Sequence, residues 1–69
     1  MRLAQANLSV GDLLVTNPPN DYFILEVRPE GVVVRGISKK GTAYKQFLSL
    51  NSKREFIHYT PETHPERFL

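Results

Sequence analysis

The chain has 69 residues and a mass of 7.9 kDa, which limits it to one small domain. Hydrophobic residues make up 41% of the chain and charged residues 23%, and these globular proportions argue against a wholly disordered protein. The absence of cysteine excludes disulfides, thiolate nucleophiles and cysteine-bound metal. The longest apolar run, from Tyr22 to Leu25, is far shorter than the roughly 20 residues of a membrane helix. No apolar stretch of signal-peptide type follows Arg2, so we expect a cytoplasmic protein that does not enter membranes.

Charge is distributed unevenly along the chain. The formal net charge is +2, but residues 28–54 contain seven lysines and arginines against one acid, Glu30. The segments on either side are both mildly acidic. If the fold collects the basic block on one face, that face will attract a polyanion or an acidic protein. The alternative is that these cations only keep strands soluble and guard the sheet edges.

Turn residues divide the chain into short segments of strand length. The turn signals fall at residues 11–12, 17–21, 29–31, 38–41 and 51–53. Runs rich in Val, Ile, Leu, Phe and Tyr lie between them and predict strands near 12–17, 22–28, 32–37, 42–49 and 54–59. We therefore predict an all-β fold with a single domain over residues 1–69, a core from about 8 to 60 and a tail from 60 to 69.

Side-chain alternation predicts which face of each strand is buried. In the second strand, one alternating set is purely apolar and is predicted to face the core. That set is Phe23, Leu25 and Val27. In the third strand, Gly36 is predicted to mark a bulge or bend that returns Ile37 to the core.

The opposite set on the second strand predicts a binding surface. Tyr22 and Ile24 would lie outside, beside Val33 of the next strand. An exposed apolar patch with a charged rim is typical of an interface, so we expect it to bind another protein or a second copy of this chain. The patch disappears if the N-terminal segment covers these residues.

The C-terminal tail carries helix signals. Thr60-Pro61 has the pattern of an N-cap followed by proline, and Thr63 with Glu66 has the spacing of a capping box. These residues predict a short helical turn. Its terminal Phe68 and Leu69 either fold back on the domain, which we favour, or contact a partner.

Five short strands, with Gly11-Asp12 at the start of the first and a short turn before the last, resemble SH3-like small barrels such as Tudor and KOW domains. The resemblance covers most of the chain and implies a five-stranded SH3-like barrel with a short C-terminal helical turn. The chain lacks tryptophan, and so lacks the aromatic groove with which SH3 domains bind proline-rich peptides. An OB-fold barrel is the alternative, although it usually needs a longer chain. No functional residue is carried over from these families, because fold does not specify function.

Catalytic and metal-binding chemistry has little support in the sequence. His58 and His64 are six residues apart with prolines between them, which matches no standard ligand spacing, although Glu62 and Glu66 could add oxygen ligands. No serine lies in a nucleophile-elbow motif and no glycine pattern predicts a phosphate site. A catalytic triad assembled only by the fold stays open. We predict a non-enzyme without metal or cofactor.

The most distinctive constellation lies on the predicted 35–47 hairpin. It combines cations with aromatic side chains: Arg35, Lys39, Lys40, Tyr44, Lys45 and Phe47. Phosphates pair with such cations and bases stack on such rings, so the alternative prediction is a module that binds single-stranded DNA or RNA. The structural interpretation of the same residues is a buried Phe47, a cross-strand Tyr44 and solubilising lysines.

Overall fold

The structure is a computed structural model that describes residues 1–16 and 20–69. The chain folds into five strands: β1 (Leu13–Val15), β2 (Asp21–Arg28), β3 (Gly31–Ile37), β4 (Ala43–Ser49) and β5 (Ile57–Tyr59). Short 3-10 helices lie at the two ends, over Leu3–Gln5 and Pro65–Phe68. The predicted all-β class is confirmed, and so is a short C-terminal helical turn.

All strand pairs are antiparallel, and they form one sheet in the order β4-β3-β2-β1-β5. Strands β1 to β4 follow one another as a meander, and the chain then crosses to place β5 beside β1. Strands β4 and β5 are therefore the two edges. Over the described residues the sheet is open and does not close into a barrel.

The predicted strand positions agree best in the centre of the sheet. The bounds of β2, β3 and β4 lie within one residue of those predicted, whereas β1 and β5 are shorter. Residues 17–19 of the first predicted loop lie outside the described residues. Ahead of β5, the Phe56 N–H donates to the Met1 carbonyl at 2.7 Å, and the Met1 ammonium donates to the Phe56 carbonyl at 2.8 Å. The N-terminus thus pairs with the segment predicted to begin the fifth strand.

The hydrophobic core lies on one face of the sheet. It consists of Leu3, Leu14, Tyr22, Ile24, Val32, Val34, Leu48 and Phe56. Leu3, which precedes the expected core of residues 8–60, is fully buried. The N-terminal 3-10 helix and the segment around Phe56 thus cover a face that the sheet cannot cover by itself.

The predicted faces of β2 are wrong. Tyr22 and Ile24 are only 4% and 1% exposed, whereas Leu25 and Val27 are 39% and 46% exposed. Phe23 lies on the other face of the sheet, where it is half-buried. The outer apolar patch predicted on Tyr22 and Ile24 therefore does not exist.

Leu3 and Phe56 cover Tyr22 and Ile24, and a β-bulge at Leu25 breaks the predicted alternation in the rest of β2. Ile24 pairs with Val34, and Glu26 pairs with Val33, the next residue along the partner strand. Leu25 between them has no partner and is an extra residue in β2. A bulge shifts every later side chain to the other face. No single alternation runs through this strand, and the set Phe23, Leu25 and Val27 is split.

The bulge predicted at Gly36 does not form. It pairs in regular register with Tyr44, and Ile37 stays exposed. A Cβ atom at Gly36 would lie 2.6 Å from the Tyr44 ring, so the glycine leaves room for that ring. Gly31, at the end of the predicted 29–31 turn, begins β3, and a Cβ there would overlap the Leu48 carbonyl oxygen.

The C-terminal tail folds back on the opposite face of the sheet. Its 3-10 helix begins at Pro65, and the predicted capping box is replaced by reciprocal hydrogen bonds in which the hydroxyls of Thr60 and Thr63 accept each other's backbone N–H. Phe68 meets the Phe23 ring edge-on, with the ring centroids 6.4 Å apart. Leu69 is fully exposed. Phe68 and Arg67 therefore hold the end of the tail on the domain, since Arg67 donates to the Tyr59 hydroxyl at 3.2 Å and lies over the Tyr59 ring.

Candidate binding surface

The face of β2, β3 and β4 that points away from the core carries two cross-strand rows of side chains. The first row is Phe23, Arg35 and Lys45, and the second is Glu26, Val33 and Phe47. We call these six residues the hairpin face. Residues paired across antiparallel strands share a face, so the register alone places the members of each row side by side.

The first row places two cations next to each other. Arg35 and Lys45 are directly opposite across β3 and β4, and the Arg35 guanidinium lies 5.7 Å from the centre of the Phe23 ring. Among the described residues, neither cation forms a salt bridge. Like charges directly opposite one another are destabilising, and an anion bound between them would relieve that repulsion.

The second row contains the one acid of the hairpin face. Two nitrogens of Arg28 contact the two carboxylate oxygens of Glu26, each at 3.1 Å. Hydrogen bonding to Arg28 and its positive charge lower the pKa of Glu26, with a smaller contribution from Lys45. The carboxylate is thus already matched by cations and leaves the hairpin face positively charged.

Phe47 gives this surface an exposed aromatic ring. Its side chain is 44% exposed and leans over Gly31, where a Cβ atom would lie 2.7 Å from the ring. Val33 is half-buried beside it in the same row. The ring is therefore fixed against the sheet on one side and open on the other, which is the geometry of a stacking platform.

An open hollow of about 210 Å³ lies near the turn between β3 and β4. It is lined by Arg35, Ala43, Tyr44 and Lys45. Two of these four residues are the paired cations of the first row.

Tyr44 is separated from this charged row by the pleat of β4. Its ring covers Gly36 on the core side, and hydrogen bonding with the Tyr22 hydroxyl raises the pKa of Tyr44. The positive charge of Arg54 acts in the opposite direction and more weakly. Tyr44 therefore has a structural role, and the predicted grouping of its ring with Lys45 is not realised on one face.

The remaining cations of the basic block lie elsewhere. Lys39 and Lys40 are exposed in the turn of the hairpin, which is closed by a 2.9 Å hydrogen bond from the Gly41 N–H to the Ser38 carbonyl. The Arg54 guanidinium lies 5.9 Å from the centre of the ring of Phe56, a core residue. The basic block is thus divided, with one part on the hairpin face and at its tip and another part on the core side.

Both histidines have structural contacts. His58 Nε2 lies 2.8 Å from Asp12 Oδ2 in a largely buried pair, and the same carboxylate oxygen accepts the Ser9 N–H at 3.1 Å. His64 Nδ1 lies 3.0 Å from the Thr63 hydroxyl. Within the described part of the chain, no three histidine or acidic side chains are grouped as metal ligands.

Sequence reasoning missed Phe23 as a member of the outer surface and the Arg28–Glu26 pair beside it. The bulge at Leu25 hid the first, because it reverses the alternation on which the face was assigned. The placement of Lys45 and Phe47 on one face was available from their spacing of two residues in a strand.

No known protein family, no curated protein and no solved structure matches this chain. Across residues 1–16 and 20–69, no helix combines the length and the apolar character that crossing a membrane requires.

Proposed function

We propose that the protein is a non-catalytic binding module that holds single-stranded nucleic acid on its hairpin face. The observation that carries this proposal is the direct pairing of Arg35 with Lys45, with the exposed Phe47 ring two residues along the same face of β4. Cations that contact phosphates beside a ring that stacks on a base are the usual means of binding a single strand.

The geometry favours a single strand over a duplex. Stacking on Phe47 needs the face of a base, and duplex bases bury their faces against their neighbours. Each stacked base contributes about 1–3 kcal/mol, and the phosphates on either side of that base would lie near Arg35 and Lys45. Lys39 and Lys40 at the hairpin tip extend the positive path beyond the sheet.

An SH3-like barrel is our proposal for the finer class of the fold. Its support is the five antiparallel strands, with β1 paired to both β2 and β5. In that class the sheet curls on itself, and the bulge at Leu25 supplies a point at which β2 bends.

Fluorescence anisotropy with labelled single-stranded DNA, single-stranded RNA and duplex DNA across a salt series tests the proposed function. We expect salt-sensitive binding that is strongest for a single strand. Lys45→Glu and Arg35→Glu should each reduce the slope of log affinity against log salt, by about 0.7 for every phosphate that the variant no longer binds.

Arg54→Glu is the matched control, because it makes the same charge change on the core side of the sheet. It should weaken binding much less than Lys45→Glu does. No binding at low salt would refute the proposal. Equal weakening by the two substitutions would show that net charge, rather than the hairpin face, attracts the nucleic acid.

A protein partner is the second candidate, and a different observation favours it. Strand β4 leaves one edge of the sheet unpaired in the described structure, with the apolar side chains of Ile37 and Phe47 exposed beside it. Partner strands bind such edges through backbone hydrogen bonds. Pull-down experiments that compare the wild type with Ala43→Pro, which removes a backbone donor from this edge, test this candidate.

A further inference from the structure

The two edges of the sheet are unequal. Strand β5 offers three residues, whereas β4 offers seven, of which five are exposed. A long exposed edge with few charges invites pairing with another strand, and natural proteins usually shorten such an edge, cover it or protect it with charge. Lys45 is the only charged residue of β4.

We propose that two copies of the chain pair antiparallel along β4, with Gln46 opposite Gln46 of the second copy. This interface goes beyond the proposed function and does not require nucleic acid. It would join two five-stranded sheets into one continuous sheet of ten strands.

The sequence of β4 is complementary to itself in this register. A twofold axis normal to the sheet allows only registers in which side chains of the same face oppose one another. Centring the axis on Gln46, the middle of Ala43–Ser49, pairs all seven residues. Lys45 of each copy then lies opposite Phe47 of the other, where a cation and an aromatic ring attract.

The neighbouring registers pair fewer residues of the two strands. Centring the axis on Lys45 places the two lysines against each other and pairs only five residues of each strand. Centring it on Phe47 also pairs five residues and places Lys45 opposite Ser49. Full overlap and the avoidance of like charges therefore select the same register, and they select a second copy as the occupant of this edge.

The symmetry has a consequence for the hairpin face. An axis normal to the sheet keeps the outer faces of both copies on the same side. The rows containing Arg35 and Lys45 from the two copies would then form one positive surface across the joined edge. Such a surface doubles the number of cations that a long polyanion can reach.

Sedimentation equilibrium of the free protein over a range of concentrations tests the interface. We expect a reversible monomer–dimer equilibrium in the wild type. A monomer at every concentration up to the limit of solubility would overturn the proposal.

Phe47→Lys and Phe47→Glu form a matched pair of variants, since both remove the same ring from Gly31. In the proposed register, Phe47→Lys opposes Lys45 with a like charge, and Phe47→Glu opposes it with an unlike charge. Twofold symmetry makes each contact twice, so dimer affinity should differ by roughly tenfold or more between the variants. Equal affinities would refute the register.

Gln46→Cys gives a second measurement if the Phe47 variants do not fold. Directly opposed residues lie about 4.5–5.5 Å apart between Cα atoms, within the range for a disulfide, and the native chain has no cysteine. Mild oxidation should crosslink this variant rapidly. Val10→Cys, exposed outside the sheet, is the control, and equal crosslinking of the two variants would contradict the pairing.

Discussion

The Asp12 carboxylate joins two parts of the chain that are 46 residues apart. It lies 2.8 Å from His58 on β5 and accepts the backbone N–H of Ser9 at 3.1 Å. Because Asp12 is buried and His58 is largely buried, water gives the imidazole little replacement for this carboxylate, whereas the exposed Ser9 N–H can bond water. This contact fixes the short β5 against the loop that enters β1.

Asp12→Ala should lower the free energy of unfolding by about 1–3 kcal/mol, because the largely buried His58 imidazole would lose its partner. Urea denaturation at constant pH measures the change. Glu62→Ala is the control, because it removes an exposed carboxylate that has no hydrogen bond or ion pair among the described residues, and it should change stability by no more than about 0.5 kcal/mol. Equal destabilisation by the two substitutions would contradict the role assigned to Asp12.

Tyr44 links stability to alkaline pH. Hydrogen bonding with Tyr22 raises the pKa of Tyr44, so the folded state favours the protonated phenol. The contribution to stability is complete below the unfolded pKa of about 10 and is lost as the pH rises through the higher folded value. Ultraviolet titration of the folded protein should show the late ionisation of the Tyr44 phenol. It should be absent in Tyr44→Phe and present in Tyr59→Phe, and the reverse would contradict the contact.

At the scale of the strands, the sequence predicted the existence of all five correctly, because turn residues and β-branched residues act locally. The bounds of β2, β3 and β4 depend on the turns at 29–31 and 38–41, which the sequence shows directly. Strand β5 depends on a partner that no local signal reveals. Residues that precede it pair with Met1 instead.

Side-chain faces were predicted less well, since one extra residue reverses them. The bulge at Leu25 is invisible in the sequence, where Phe23, Leu25 and Val27 alternate regularly. Burial of Tyr22 and Ile24 depends instead on Leu3 and Phe56, which reach the core from outside the sheet.

Glycines in β3 provide a prediction about how β4 packs. Gly31→Ala should be severely destabilising, because the new Cβ would meet the Leu48 backbone oxygen, which cannot move without displacing β4. Gly36→Ala should cost less, because it meets only the end of the Tyr44 side chain. Urea denaturation should rank the two variants in that order.

Double variants distinguish a clash with the β4 backbone from a clash with a side chain. Tyr44→Ala should remove most of the penalty of Gly36→Ala, whereas Phe47→Ala should leave most of the penalty of Gly31→Ala. Rescue of Gly31→Ala by Phe47→Ala would mean that the Phe47 ring, rather than the backbone of β4, sets the limit.

At the scale of the whole molecule, the pairing of the strands decides which charged side chains lie side by side. The sequence predicted a basic hairpin, and the structure places Arg35 and Lys45 side by side there. It could not predict that Tyr44 and Arg54 belong to the core side, because both faces of β4 mix polar and apolar residues. The C-terminal tail limits the accessible part of the hairpin face. Phe68 covers part of Phe23, so the residues on β3 and β4 are the open part of that face.

Backbone amide chemical shifts during titration with a short single-stranded oligonucleotide test the binding surface most directly. The largest shifts should fall on the hairpin face, at Arg35, Lys45 and Phe47, and at the tip lysines, with little change at Leu3 or Phe56 in the core. Added salt should reverse them. Shifts centred on residues 54–57, or none at low salt, would contradict the proposed binding surface.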